Sequence, residues 1–399
     1  MNRMSPHRIV ARLALPVILG LSPGIAMGQG NGIFADFVTS KGNFTCQLDY
    51  TNAPRMTANF IGLATGQRAW LDLTTGRART NAFYNGLTFH RIIAGFMNQG
   101  GSPNGMGTDG PGYALKNEFS PKLVFDRFGV LAMANSGPNS DGAQFFITVA
   151  PFPAGNNTYS IFGRVVSGSN VVYAINQVPT GANDAPLTPV IIQQVSIRRV
   201  GTAAQAFNIH AQGLPIVTNL PLGIAALPGQ VSLTFSNRQY ADNQLFGTAN
   251  LTGGWTANAL GIETAAPVTN RVLQANDAPR KFFRLAQVQY PSSTFAPKTM
   301  YGRTLTLTFT SALTNTLTIA FDSAGGGEYT IPPFDPGTVT EYSWTQEPYR
   351  GFLWPIYFSG LVPLTANLAF TSNTNGTFKG TFYSDPPFNV SGNFHLTGP

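Results

Sequence analysis

The sequence predicts a mainly β protein built from more than one domain. Apolar residues recur at every second position through much of the chain, which is the period of a half-buried strand. Charged residues make up only 10% of the composition while Gly, Pro and Phe are abundant, a balance that suits turns and sheets better than helical bundles. A length of 399 residues also exceeds what one ordinary domain holds.

The N-terminus reads as a signal peptide over residues 1–28. Basic residues Arg3, Arg8 and Arg12 precede an apolar run from Leu13 to Ile25, and Ala26-Met27-Gly28 places small residues at the –3 and –1 positions of a cleavage site. Pro16, Pro23 and Gly24 interrupt that run, so a membrane-spanning helix is disfavoured. Export to a periplasmic or extracellular location is the expectation, with membrane contact only through an uncleaved signal. The formal net charge is +7, no basic run reaches five residues, and no nucleic-acid partner is expected. Cys46 is the single cysteine, which excludes an internal disulfide and a cysteine-based zinc site. It stands in an alternating strand pattern and is expected to be buried as a small hydrophobe.

From Ile33, alternation through Phe34 and Val38 leads into Ser40-Lys41-Gly42-Asn43 and out through Phe44, Cys46 and Leu48, a hairpin signal. Met56, Phe60, Leu63 and Ala64 follow Pro54 at helical spacing. Short apolar strands between Gly-rich loops continue to Val195-Ser196-Ile197, the punctuation of a barrel or sandwich with a few helices. The texture then changes. Residues 201–229 read as a linker, with an entering strand as the alternative, 230–290 as a small β unit with a strand at Val231–Phe235, and 291–399 as a β-sheet domain in which sandwich and barrel-like sheet remain equally open. In that last part Leu305, Leu307 and Phe309 share one strand face, Leu317, Ile319 and Phe321 another, and Asn375-Gly376 signals a hairpin turn. Phe378, Phe382, Phe388 and Phe394 are expected in the core, and Trp344, Tyr349, Trp354 and Tyr357 are read as core and turn residues rather than as an exposed patch.

Several chemistries find no support. His7, His90, His210 and His395 are not spaced as a metal cluster, and there is no HExxH, no GxSxG elbow and no GxxxxGK[ST] loop. No metal or other cofactor is expected. Two blocks stand out instead. The first runs from Phe89 to Gly101 and sets His90-Arg91 among large apolar residues, with Phe96, Met97 and Gln99 before a paired Gly turn. The second runs from Gly129 to Ile147, where a strand enters the polar loop Asn135-Ser136-Gly137-Pro138-Asn139 and leaves through Gln144 and Phe146.

These blocks closely resemble the signature segments of cyclophilins. Phe83-Tyr84-Asn85-Gly86, Gly105-Met106-Gly107-Thr108, Asn117-Glu118-Phe119 and Ile161-Phe162-Gly163 match in order and spacing across roughly Ile33 to Arg199. The resemblance implies a closed eight-stranded antiparallel barrel capped by two helices in residues 29–200, with peptidyl-prolyl cis–trans isomerase activity on proline-containing polypeptides. Carried over by position, the catalytic arginine is Arg91 and the proline pocket is Phe96, Met97 and Phe146. Gln99, Ala134, Asn135 and Gln144 line the groove. Where the family has an aromatic residue followed by Leu, this chain has Pro151 to Asn157 and Phe152 is the nearest stand-in. Tyr159 takes a position often held by His, and Asp109 replaces a Gly. The alternative is a catalytically weak proline-peptide-binding or envelope assembly module; a separate possibility is that residues 230–399 serve adhesion or anchor the chain to an envelope partner. His90 is expected to be structural.

Such an isomerase needs no nucleophile. The C–N double-bond character of the amide sets a barrier of about 18–20 kcal/mol, and proline brings cis and trans close in energy without speeding their exchange. An apolar slot for the ring and a permanent cation aimed at the prolyl nitrogen as it pyramidalises supply the chemistry.

Overall fold

The computed structural model describes residues 30–398 apart from 264–268, 276–279, 292–295, 312–314 and 333–335; the expected signal segment lies outside the described residues. The first hairpin forms as its turn residues dictate, with β1 (Gly32–Thr39) returning as β2 (Gly42–Leu48) in a register that pairs Thr39 with Gly42. Helix α1 (Pro54–Thr65) has proline in its first turn and no cap from its own flanking side chain. The Glu118 carboxylate supplies one from a distance, accepting from the Arg55 N–H at 3.3 Å and the Met56 N–H at 2.9 Å, which satisfies orphan donors and meets the positive helix end. Its apolar stripe, Met56, Phe60 and Leu63, is fully buried.

A small hairpin of β3 (Trp70–Asp72) and β4 (Arg77–Arg79) precedes the strands that build the sheet. Those are β5 (Thr88–Phe89), β6 (Arg91–Ile93), β7 (Met97–Gly100), β8 (Val130–Met133), β9 (Phe145–Thr148), β10 (Ile161–Ser167) and β11 (Val190–Val200). The order across the sheet is β5-β11-β1-β2-β10-β8-β9-β7-β6. Its two end strands are separated by the single residue His90. They are halves of one interrupted strand, so the sheet curls back on itself as a barrel of eight strands, the expected architecture. Phe37, Phe60, Tyr84, Phe89, Phe145 and Phe162 fill the interior, and Cys46 is buried there, its thiol pushed well above its ordinary pKa by burial. Helix α2 (Ser169–Asn176) buries Val172 and Ile175 in the same apolar cluster.

Beyond residue 200 the structure has strands, the alternative to a linker. Residues 201–229 hold the short helix α3 (Thr202–Ala206) and two strands, β12 (Ile216–Leu220) and β13 (Gly223–Leu227). With β14 (Gln230–Ser236), β15 (Ala241–Thr248), β16 (Thr256–Glu263), β17 (Thr269–Ala275) and β18 (Phe282–Gln289) they form two sheets, ordered β12-β18-β15-β16 and β13-β14-β17. Strand β12 is not visible as a strand in sequence because its partner β18 lies some seventy residues on, pairing Ile216 with Gln289.

The last eight strands close into an up-and-down barrel: β19 (Thr304–Ser311), β20 (Thr316–Phe321), β21 (Gly327–Thr330), β22 (Gly337–Glu347), β23 (Arg350–Phe358), β24 (Leu364–Phe370), β25 (Asn375–Phe382) and β26 (Phe388–Thr397). The interior is packed with Leu305, Leu307, Leu317, Ile319, Leu368 and Phe378. Three expectations need correction. Asn375 and Gly376 begin β25 rather than turning the chain; the turn is 371–374 and Gly376 pairs with Phe370. A Cβ at 376 would fall 2.0 Å from the Ala369 carbonyl oxygen, so this glycine serves packing. Phe388 is 37% exposed, although its ring stacks on Phe382 at 5.2 Å. Trp354 and Tyr357 are exposed on the barrel surface, whereas Tyr349 is buried and Trp344 half-buried.

The middle sheet docks on the first barrel. Val217, Phe246, Ala286, Val288 and Tyr290 belong to the same apolar cluster as the first barrel's interior and α1. Gly76, at φ +65°, lies so close under the Phe246 ring that a Cβ would sit 2.4 Å from it. Arg284 donates to the Thr75 carbonyl at 2.6 Å, and the buried Arg68 donates to the Pro215 carbonyl. Phe246→Ala should therefore destabilise the full chain by about 3–5 kcal/mol, measured by denaturant unfolding; a loss under about 1 kcal/mol would show that this contact carries little of the docking.

Candidate active site

Strand register assembles the site. Arg91 pairs with Gln99, Gln99 with Phe146, Phe146 with Ala132 and Ala132 with Ile161, one row across five strands. Residues directly opposite in a ladder share a face. Met97 is two positions from Gln99 on β7 and opposite Ile93, so it joins the same outer face. Here Met97, Phe125, Val130, Ala132, Phe146 and Ile161 form an apolar cluster separate from the barrel interior, flanked by Phe96, Ala134, Phe152 and Tyr159.

Aromatic contacts give this cluster its shape. Phe146 stacks on Phe125 at 5.7 Å and 8°, and meets Tyr159 edge-on at 5.2 Å. Phe152 meets Phe96 at 4.9 Å and Phe125 at 5.5 Å. Phe125, absent from the sequence-derived set, thus forms the cluster's floor and is fully buried. It lies outside any strand, in the short apolar run Leu123-Val124-Phe125, so alternation gave no signal for it.

The β6–β7 hairpin that carries Arg91, Phe96 and Met97 is held from behind by α2. The Asn176 amide donates to the carbonyls of Ile93 at 3.0 Å and Met97 at 3.3 Å, and its oxygen accepts from the Gly95 N–H at 2.8 Å. Gln99 donates to Gln144 at 3.0 Å, and Gln144 donates to the carbonyls of Gly107 and Asp109 at 2.9 and 2.8 Å. Asp109 is the organiser of the 102–109 loop: it accepts from the Ser102 hydroxyl at 2.6 Å and the Asn104 N–H at 2.9 Å. His90, which interrupts the strand beside Arg91, is 8% exposed. Burial holds its pKa below the ordinary value, the Arg91 cation pushes the same way and Asp109 opposes them, a balance that favours the neutral imidazole.

All ten sequence-predicted site residues lie on or around this face. Ala134 donates its N–H to the Gln144 carbonyl at 2.9 Å, which closes the mouth of the 134–144 loop. Asn135 turns its side chain inward, donating to the Thr158 carbonyl at 2.9 Å and to Asp141 at 3.2 Å. Arg91 is exposed, and its guanidinium meets Asp184 at 3.2 Å, with both side chains over 40% exposed. That partner comes from a loop 93 residues away, and no spacing in the sequence marks it.

The outer face thus carries an aromatic slot and, on the same strand row, an exposed arginine. Comparison with known proteins gives the family. Residues 34–197 match the family described as cyclophilin type peptidyl-prolyl cis-trans isomerase/CLD. The chain is 44% identical over 161 residues to peptidyl-prolyl cis-trans isomerase A of Mycobacterium tuberculosis, covering 40% of this chain and 88% of that protein. It is 44% identical over 168 residues to peptidyl-prolyl cis-trans isomerase B of Streptomyces anulatus, covering 41% and 96%. A crystal structure of a Cryptosporidium parvum cyclophilin type peptidyl-prolyl cis-trans isomerase is 28% identical, covers 42% of this chain and 98% of that one, and has a TM-score of 0.37. The chain belongs to the cyclophilin-type peptidyl-prolyl cis–trans isomerases, and residues 201–398 extend beyond the matched region.

Asp141 sits beneath the groove loop, fully buried, accepting from Ser160 at 2.5 Å, Asn117 at 3.1 Å and Asn135. Burial raises its pKa from 3.8 to about 7, against the pull of those three donors. Between these values the folded chain holds a proton that the unfolded chain has released, so stability falls as pH rises through the window. Thermal melts should show wild type losing stability from pH 5 to pH 8 relative to Asp141→Asn; parallel curves, or a loss toward low pH, would refute the assignment.

Proposed function

We propose that Arg91 drives X–Pro rotation by stabilising the twisted amide, with the proline ring seated among Phe96, Met97, Phe125 and Phe146. The observation that supports this reading is the row Arg91–Gln99–Phe146, which sets Arg91 on the same outer face of the sheet as the aromatic cluster. In the planar ground states the prolyl nitrogen has little basicity. As the bond twists, conjugation is lost, the nitrogen pyramidalises and accepts a hydrogen bond, so a fixed donor favours that state over either planar one. Each tenfold acceleration asks for about 1.4 kcal/mol of such preference.

The Asp184 contact does not lock the cation away. A solvent-exposed ion pair is worth about 0–1 kcal/mol, less than a charge-assisted bond formed in a pocket closed by substrate. Gln99, Gln144 and the backbone around Ala134 and Asn135 offer hydrogen bonds to the flanking peptide, which holds one side still while the other turns. Tyr159 and Phe152 complete the wall in place of the family's usual residues, and we assign to them the substrate preference rather than the rotation.

Arg91→Ala should lower kcat/KM for a proline-containing peptide by about 100-fold or more, and Arg91→Lys should recover little of it because one ammonium lacks the guanidinium fork. NMR exchange spectroscopy reads the rate. Equal rates for Arg91→Ala and wild type would overturn the mechanism, and peptide binding without exchange would identify a binding module instead. We further propose that the clients are exported polypeptides, on the strength of the pattern over residues 1–28. Mass spectrometry of the protein from culture should find a mature chain beginning at Gln29; an intact Met1 start on protein isolated from the producing cells would count against export by this route.

A further inference from the structure

The outer face of the C-terminal barrel carries a groove of about 450 Å³ across β23–β26, lined among others by Phe352, Trp354, Thr365, Asn367, Lys379 and Asn389. Trp354 is 51% exposed and stacks against Phe352 at 6.2 Å and 29°. Lys379 is the only charged side chain among the lining residues. The Asn367 amide oxygen is buried without a hydrogen-bond partner.

The barrel meets the 134–144 loop of the isomerase domain beside this groove. Arg350, only 5% exposed, donates to the Ser136 carbonyl at 3.0 Å and to the Ser136 hydroxyl at 3.1 Å. Ser136 directly follows Asn135 in the groove loop. The same guanidinium lies 4.8 Å over the Phe352 ring and donates to Glu347 at 2.5 Å. Asn367 closes against the loop as well: a Cβ on Gly137 would lie 3.1 Å from its Nδ2, and Gly137 holds φ +122°, a conformation that L side chains rarely adopt. One cation thus touches both the loop of the catalytic cleft and the first aromatic ring of the barrel groove.

We propose that the barrel groove is a second docking surface for the polypeptide substrate, taking the extended segment that flanks the rotating X–Pro bond after it crosses Asn135–Gly137. An indole face beside a phenyl ring packs well on the rings of an extended, proline-containing chain, and neighbouring amides and hydroxyls can pair with its backbone. With Lys379 present and no carboxylate in the lining, neutral or acidic segments fit and basic ones do not. The proposal rests on the isomerase reading of the cleft.

The test uses the full chain and titration calorimetry with three probes: a tetrapeptide containing one X–Pro bond, and the same tetrapeptide extended on its N-terminal or on its C-terminal side by about ten residues, roughly 33 Å of extended chain, carrying proline and aspartate. One extended peptide should bind at least tenfold tighter than the tetrapeptide. In Trp354→Ala that ratio should fall to near one, and in Trp354→Phe most of it should survive. Thermal melting of the variants shows that the barrel is intact. Tetrapeptide-like affinity for both extended peptides, or a ratio that Trp354→Ala leaves in place, overturns the proposal. Cis–trans exchange of the tetrapeptide, followed by NMR on wild type, judges the isomerase reading separately, since the calorimetric ratio is read whether or not exchange occurs.

Discussion

A sheet that closes on itself has no free edge and no spare register. In the isomerase barrel the ends meet at His90, with β5 bonded to β11 on one side and β6 bonded to β7 on the other. Sliding any one strand by a residue would reverse its inward and outward faces all the way round. That constraint, more than any single contact near the cleft, keeps Arg91, Gln99 and Phe146 in one row. The packed Phe60, Tyr84 and Phe145 rings on the inner face make the closure rigid, and the outer face inherits its precision from them.

Much of this was legible in the residues themselves. The hairpin around Lys41-Gly42, the helix after Pro54 and the two blocks around Arg91 and Gln144 announce their structures through local chemistry: turn residues, period and a dense motif. What stayed hidden depends on distant partners. Phe125 belongs to no regular element, and only the fold puts it beneath Phe146. Asp184 and Asp141 are unremarkable acids in sequence; one meets the Arg91 guanidinium and the other disappears beneath the groove loop. In the C-terminal half, alternation correctly separates inward Leu305 and Leu307 from outward threonines, yet alternation is the same in a sandwich and in a barrel. The pairing of β19 with β26, Leu305 opposite Leu396, decides between them, and no local pattern encodes it.

The groove loop is where the last barrel meets the isomerase barrel. From inside, Asp141 draws Asn135 and Asn117 together; from outside, Arg350 holds Ser136. A loop of Asn, Ser, Gly and Pro left alone would sample many conformations, and each would have to be lost again when a peptide binds. Tying it from both sides moves that entropy cost from binding to folding. The barrel therefore belongs to the physical description of the cleft even though the matched region of the family ends near residue 197.

The distance between the barrel groove and the rotating bond limits what the groove can do. A contact made many residues from the prolyl nitrogen is the same in the cis, trans and twisted states, because rotation about one amide need not disturb a segment anchored elsewhere. Uniform binding of that kind lowers KM and leaves the barrier alone. Acceleration has to come from groups that see the nitrogen change, which in the proposed mechanism are Arg91 and the dry aromatic slot. On these two proposals the labour divides: the small barrel supplies the preference for the twisted bond, and the appended barrel, through Trp354 and Phe352, governs which chains stay long enough to be twisted. Longer residence also carries a limit, since a client held too tightly at the second surface leaves slowly and turnover becomes bounded by release. A half-exposed aromatic pair without a deep pocket is suited to the middle of that range, where affinity gained from remote contacts still exchanges quickly.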